Sequence, residues 1–254
     1  MKHNIGNAIG GLAGQIQSLQ QNIYNMSIED SYISANTQIG LLSSEVQNCT
    51  INLIIIKSSV IISNSTFNSS CLGTLFAQTQ GPLIIQLTYI YNISVTSINN
   101  LVWSISGGLI GDIYAYETII MQTKIVNSII QTQGQVSSSI NAGGIIGFSF
   151  NGSITIKDVQ VTNTNMSAFS LSSNAHCGSL TAFTSGENIQ IENIQISNIY
   201  IIVDSPKQYA GVFFSINGFT EFTASQVCSK GMNIINGQLV ANCQNVINQS
   251  QSGC

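Results

Sequence analysis

A five-residue box of the form glycine, small, apolar, apolar, small recurs along this chain at nearly even spacing, and no other feature restricts the fold as strongly. It reads Gly10-Gly11-Leu12-Ala13-Gly14, Ile39-Gly40-Leu41-Leu42-Ser43, Gly73-Thr74-Leu75-Phe76-Ala77, Gly107-Gly108-Leu109-Ile110-Gly111, Gly143-Gly144-Ile145-Ile146-Gly147, Gly178-Ser179-Leu180-Thr181-Ala182 and Gly211-Val212-Phe213-Phe214-Ser215. The boxes begin at 10, 39, 73, 107, 143, 178 and 211, giving steps of 29, 34, 34, 36, 35 and 33 residues. A period of this length marks a repeat architecture. Each unit cannot bury its apolar side alone and closes its core only against its neighbours.

A second element follows each box and reads apolar-x-Asn-apolar-x-apolar. Its clear copies centre on Asn25, Asn48, Asn92, Asp158 and Asn193, and a weaker one on Asn127. From the third box residue to this position the offset is 13 in four repeats (25, 158, 193 and 226) and 7, 17 and 18 in the others, which reads as loops of variable length. Alternation such as Ile154-x-Ile156 and Val159-x-Val161 has period two, and Ile, Val and Thr suit a pleated surface. The spacing therefore predicts an all-β, single-stack parallel β-solenoid (a β-helix) of about seven degenerate rungs of roughly 34 residues. The Asn positions are expected to form one column of bends, because Asn tolerates left-handed backbone, either bonded down the stack as an amide ladder or exposed as turn residues without cross-rung bonds. One segment admits a rival: Ile5, Ile9, Leu12, Ile16, Leu19, Ile23 and Met26 follow helical spacing. Gly6, Gly10, Gly11 and Gly14 argue against a helix there, each costing about 1 kcal/mol in a helix interior.

The double-glycine boxes at 107–111 and 143–147, with the Asn48-Cys49 pair, resemble GLUG-type repeats of large bacterial and protist surface proteins. The resemblance covers roughly residues 9–230; three boxes carry both glycines and the closing glycine, and Asn-Cys occurs once. It implies a surface or extracellular solenoid used for adhesion or as a spacer. The residues divide the chain into solenoid repeats over 1–230 and, over 231–254, a C-terminal cap or the start of a truncated Cys-containing segment. The chain reads as a piece of something longer.

Composition narrows the partners. Charged residues make up 6% of the chain, there are six lysines and no arginine, and the net charge is −4. An ordinary domain carries about 25% charged residues. Nucleic acid is a poor partner for such a chain, because binding depends on neutralising phosphates. No apolar run approaches the ~20 residues a spanning helix needs, and no continuous apolar stretch follows Met1 as in a signal peptide. Sequons start at Asn25, Asn48, Asn64, Asn68, Asn92, Asn151, Asn165 and Asn248. Asn64, Asn68, Asn151, Asn165 and Asn248 are the glycosylation candidates if the Asn column is buried. The expected location is extracellular or at a cell surface, with a glycan or a protein of a neighbouring or host cell as partner.

Chemistry is harder to find. The six cysteines (49, 71, 177, 228, 243 and 254) form no CxxC pair and have no histidine in zinc spacing, so no metal or cofactor is expected. A polysaccharide lyase of this architecture needs clustered carboxylates and a base. Lys157, Asp158, Glu187 and Glu192 are the one cluster stacking could bring together, and Lys157 with Glu192 reads more simply as a cross-rung ion pair. His176 and Cys177 are adjacent on a strand and point to opposite faces. Cys49 and Cys177 read as core residues. Tyr24, Tyr89, Tyr91, Tyr114 and Tyr116 suggest an aromatic stripe on one face, and Trp103 precedes a box. No Thr-x-Thr ladder marks an ice-binding face. The low charge and β-rich pattern also allow an amyloid-like assembler. The sequence favours a non-enzymatic structural or adhesive repeat protein, with a carbohydrate-binding or lyase-like β-helix as the alternative.

Overall fold

The computed structural model describes residues 8–65, 69–99, 103–114, 117–134, 139–150, 152–172, 174–185, 188–217 and 221–240, and among these there is no helix. Each box and the segments around it form short strands that pair with the same segments one repeat away, in parallel. The result is a β-solenoid. Residues 8–10 and 13–29 are strand, so the N-terminal segment is a rung and not the rival helix.

Three sheets run the length of the stack. The first contains Ala8–Gly10, Gln38–Gly40, Ser70–Gly73, Ser104–Gly107, Ser139–Gly143, Asn174–Gly178 and Lys207–Gly211, in that order. The second contains Tyr32–Ala35, Val60–Ser65, Ser94–Asn99, Ile129–Gly134, Asn165–Ser170, Tyr200–Asp204 and Asn233–Ile235. The third joins two faces. In five turns the short strand and the long strand are separate, as in Phe76–Gln80 and Leu83–Tyr91, which a corner at Gly81 divides. In the two N-terminal turns these run together as Ala13–Glu29 and Ser43–Lys57. So about seven rungs are present as seven strands in the first sheet, but only five turns have four separate strands. At the C-terminal end Gln238–Val240 folds back antiparallel on Asn233–Ile235, closing one sheet edge with a hairpin. An exposed edge would otherwise template pairing with another chain.

Stacking places like on like. Ile51, Ile85, Ile120, Ile156 and Ile191 occupy one column, and Ile61, Val95, Ile130, Met166 and Ile201 another, all inside and all buried. Each such side chain contributes about 1.5–3 kcal/mol relative to exposure. The alternation is literal: Ile129–Gly134 reads exposed, buried, exposed, buried along its length.

The glycine of the box sits where the chain turns too sharply for a side chain. A methyl group at Gly10, Gly40, Gly73, Gly107, Gly143, Gly178 or Gly211 would overlap the carbonyl oxygen three residues ahead. Register corrects the second box by one residue: Gly40, not Ile39, pairs with Gly10 and Gly73. Ile39 is instead a buried strand residue, and the box there is Gly40-Leu41-Leu42-Ser43-Ser44. The second box position is equally tight in the middle of the stack, where a side chain at Gly108 or Gly144 would strike the carbonyl of the next rung.

The expected single Asn column resolves into three corners. Asn25, Leu53, Leu87, Gln122, Asp158, Asn193 and Gln226 lie in register at a mid-strand kink, all with φ between 50° and 58°. Asp30, Ser58, Asn92, Asn127, Asn163, Asn198 and Gly231 form a second left-handed column at the end of the long strand. Asn48 belongs to a third corner, beside Gly81 of the next rung. The variable offset was therefore a change of corner, not of loop length. An amide ladder runs along part of the second column, and the first column has an amide-to-carboxylate bond. Asn198 Nδ2 donates to Asn163 Oδ1 at 3.1 Å and Asn163 Nδ2 to Asn127 Oδ1 at 3.0 Å, while Asn193 Nδ2 donates to Asp158 Oδ1 at 2.6 Å. Left-handed backbone costs roughly 1–2 kcal/mol at a residue other than glycine, and Leu53 and Leu87 adopt it all the same.

Candidate functional site

The tight box corner has a geometric consequence on its outer side. The first sheet and the short strand after the box diverge from the glycine at an angle, so their outward residues face one another across a groove parallel to the stack. One wall is the register column Gln38, Cys71, Ile105, Asn141, His176 and Tyr209. The other is Glu45, Gln78, Asp112, Phe148 and Phe183. Cys71, Ala77, Ile105, Phe148 and Phe183 pack together here as an apolar cluster separate from the main core. The small residue closing each box is what lets the walls approach. A Cβ on Gly111 would stand 2.7 Å from Cys71 Sγ, and one on Gly147 would stand 2.5 Å from Ile105 Cγ2.

Aromatic rings follow one another along this groove. Trp103 meets Phe148 at 5.9 Å, Phe148 stacks on Phe183 at 5.0 Å, His176 meets Phe183 edge-on at 5.6 Å, and His176 stacks on Tyr209 at 4.7 Å. Such contacts are worth about 0.5–1.5 kcal/mol each beyond area burial. His176 is 3% exposed, its Nδ1 has no hydrogen-bond partner, and burial pushes its imidazole down to about 4. Cys177 points the other way, into the core. Neighbours on a strand do face opposite sides, and no Cys-His pair forms.

At the N-terminal end of the ring row the groove widens into a cavity of about 380 Å³ lined by Gln38, Ser70, Cys71, Gln78, Trp103, Asp112 and Tyr114, among others. Asp112 is only 5% exposed and its Oδ1 has no hydrogen-bond partner. Burial raises its carboxyl from 3.8 to about 7, although hydrogen bonds from the Tyr114 hydroxyl and the Ile113 backbone pull the other way. Burial and the nearby Asp112 push the Tyr114 phenol up to about 12. The Cys71 thiol, which donates to the Ala77 carbonyl at 2.8 Å, is held well above its usual range, chiefly by burial. A carboxyl titrating near neutrality can accept or donate a proton or a hydrogen bond, and it stands next to two partly exposed aromatic rings.

Asp112 had no marker in the repeat pattern. The residue following the box is Glu45, Gln78, Asp112, Phe148 and Phe183 in successive rungs, so one outward column passes from polar side chains to rings, with Asp112 at the change. The expected aromatic stripe is scattered. Tyr24, Tyr89 and Tyr91 fall in three different columns of the long-strand face, Tyr114 is at the cavity, and Tyr116 lies outside the described residues. The acidic cluster is likewise divided. Lys157 Nζ bonds Glu192 Oε2 at 3.1 Å, Asp158 accepts from Asn193, and Glu187 lies outside the described residues. Among the described residues no group of three His, Cys, Asp or Glu gathers as metal ligands would. The described cysteines, Cys49, Cys71, Cys177 and Cys228, are free thiols. Of the glycosylation candidates, Asn64 and Asn165 are exposed, and Asn68, Asn151 and Asn248 lie outside the described residues. Asn25 and Asn92 are exposed too, so their corners do not shield those sequons. No helix among the described residues is long and apolar enough to cross a membrane. Comparison with protein-family descriptions, characterised proteins and solved structures returns no match for this chain.

Proposed function

We propose that the chain is a non-enzymatic structural or adhesive module of a surface or secreted repeat protein, with its outer groove as the contact face. The observation that carries this reading is the parallel pairing of successive turns from Ala8 to Ile235, which makes a stack and aligns outward columns on each face. Such stacking presents a surface without the ordering cost a flexible segment incurs on binding. The exterior supports contact with hydroxyl-rich partners, being built mainly of Asn, Gln, Ser and Thr with few charges. A second reading, a carbohydrate-binding β-helix, draws support from the cavity where Trp103, Tyr114 and Asp112 meet.

Attachment of the purified chain, coated on beads, to cells and to immobilised polysaccharides tests the proposal. Incubation with polygalacturonate and Ca²⁺ runs in parallel. Attachment without turnover is the expected result. Release of unsaturated uronides, abolished by Asp158→Ala, would overturn the non-enzymatic reading.

A further inference from the structure

We infer that the cavity between Trp103, Tyr114, Asp112, Gln38 and Gln78 binds one ring of an uncharged oligosaccharide. This rests on the reading of the groove as the contact face, and adds the site, the ligand class and the residues.

The argument begins with what the cavity leaves unsatisfied. Asp112 lines the cavity, and its Oδ1, itself shut off from solvent, has no hydrogen-bond partner. An orphaned buried oxygen costs about 1–3 kcal/mol, and a turn of the carboxyl toward the space lets a ligand hydroxyl restore the missing bond. Gln38 Nε2 donates to Gln78 Oε1 at 2.9 Å. That bond leaves the Gln38 carbonyl and the Gln78 amide with acceptor and donor capacity on the same lining. Three planar polar side chains thus present a mixture of donors and acceptors. A sugar hydroxyl is both at once, so adjacent hydroxyls on a ring match such a mixture.

Apolar contact comes from the other side. Trp103 and Tyr114 are 39% and 38% exposed, the condition for an aromatic ring to cover the C–H face of a sugar. The volume, about 380 Å³, lies near the lower end of the roughly 300–1,000 Å³ usual for small-ligand sites. Neither lysine nor histidine lines the space, so nothing there attracts an acidic sugar. An organic cation would use Asp112 and the rings but would leave the acceptor and donor pair of Gln38 and Gln78 unmatched. The uncharged saccharide uses all of them.

Trp103 is the only tryptophan in the chain, so its emission reports on this cavity alone. The experiment titrates the full chain with uncharged gluco-, manno- and N-acetylglucosamine oligosaccharides, and separately with choline chloride. At least one saccharide is expected to shift the emission saturably. Asp112→Ala should weaken that saccharide tenfold or more. Gln78→Ala, at a half-buried surface position, should weaken it severalfold while keeping the wild-type circular dichroism spectrum, which guards against a folding defect in the first variant. Three results would overturn the inference: no saccharide shifts the emission at tens of millimolar, the affinity is the same in both variants, or choline saturates the site and saccharides do not. If the emission stays fixed while the beads still attach to cells, the cavity assignment fails and the adhesive reading survives. If saccharide binds here and the beads never attach, the reverse holds.

Discussion

Replacing Asp112 with asparagine removes a carboxyl that burial keeps protonated well above its ordinary range. The group titrates near 7 in the folded chain and near 3.8 when exposed by unfolding. Between those values the folded state holds a proton that the unfolded state has lost, so stability falls as pH rises through the window. Stability from this source is full below about pH 4 and gone above about pH 7. The whole difference is worth roughly 4 kcal/mol, and the part between pH 5 and 8 roughly 2–3 kcal/mol. The asparagine variant has no such slope. Nearby groups do not blur the comparison, because Tyr114 is pushed up to about 12, Cys71 lies well above its usual range and His176 titrates near 4. Urea unfolding of both proteins at pH 5, 6, 7 and 8 gives the measurement. Relative to Asp112→Asn, the parent should lose about 2–3 kcal/mol on going from pH 5 to 8. A stability difference that stays flat across the series would refute the claim that burial of Asp112 outweighs its hydrogen bonds from Tyr114 and Ile113.

The glycine corner predicts a contrast within one box type: Gly107→Ala should cost several kcal/mol, of the order seen for steric overpacking, because its methyl overlaps the Ile110 carbonyl, whereas Gly14→Ala, with open space around it, should be near neutral in thermal unfolding. His176 should show no imidazole titration by NMR between pH 5.5 and 8; because its folded value lies below the ordinary 6.5, the stability it contributes is present above 6.5 and lost as pH falls towards 4, and a midpoint near 6.5 would disprove its burial in the groove. Breaking the half-exposed Lys157–Glu192 pair with Glu192→Gln should change stability by no more than about 1 kcal/mol, read as a small salt-sensitive shift in the urea midpoint.

Much of the architecture could be read before any coordinates, because stacking makes sequence period and spatial period the same thing. Ile85, Ile120 and Ile156 fall in one column for the same reason that they recur about 35 residues apart. The register of the second box was misread by one residue because Ile39 precedes a lone glycine. What fixes the alignment is the carbonyl overlap at Gly40, a steric fact with no mark in the composition. The bends were only half legible. Asn and Asp advertise left-handed backbone, but Leu53, Leu87, Gln122 and Gln226 adopt it with no such signature, held there by the rungs on either side. The offsets of 7, 13 and 17–18 correspond to the three corners. The groove was not legible, since it arises from the angle between two strands, and Asp112 gains its character only from being walled in by Cys71, Tyr114 and their neighbours.

Because every turn offers its successor the same hydrogen-bonding profile, the molecule has no privileged length. Cutting just before Ser70 and rejoining at Ser104 would bring Gln38–Gly40 and Ser104–Gly107, now two storeys apart, into contact, glycine over glycine. Gain or loss of whole storeys is therefore a small step for such a gene. The cavity stands apart from that freedom: Trp103, Asp112 and Tyr114 come from one storey and Gln38 and Gln78 from the two before it, so it persists only where those three stay consecutive.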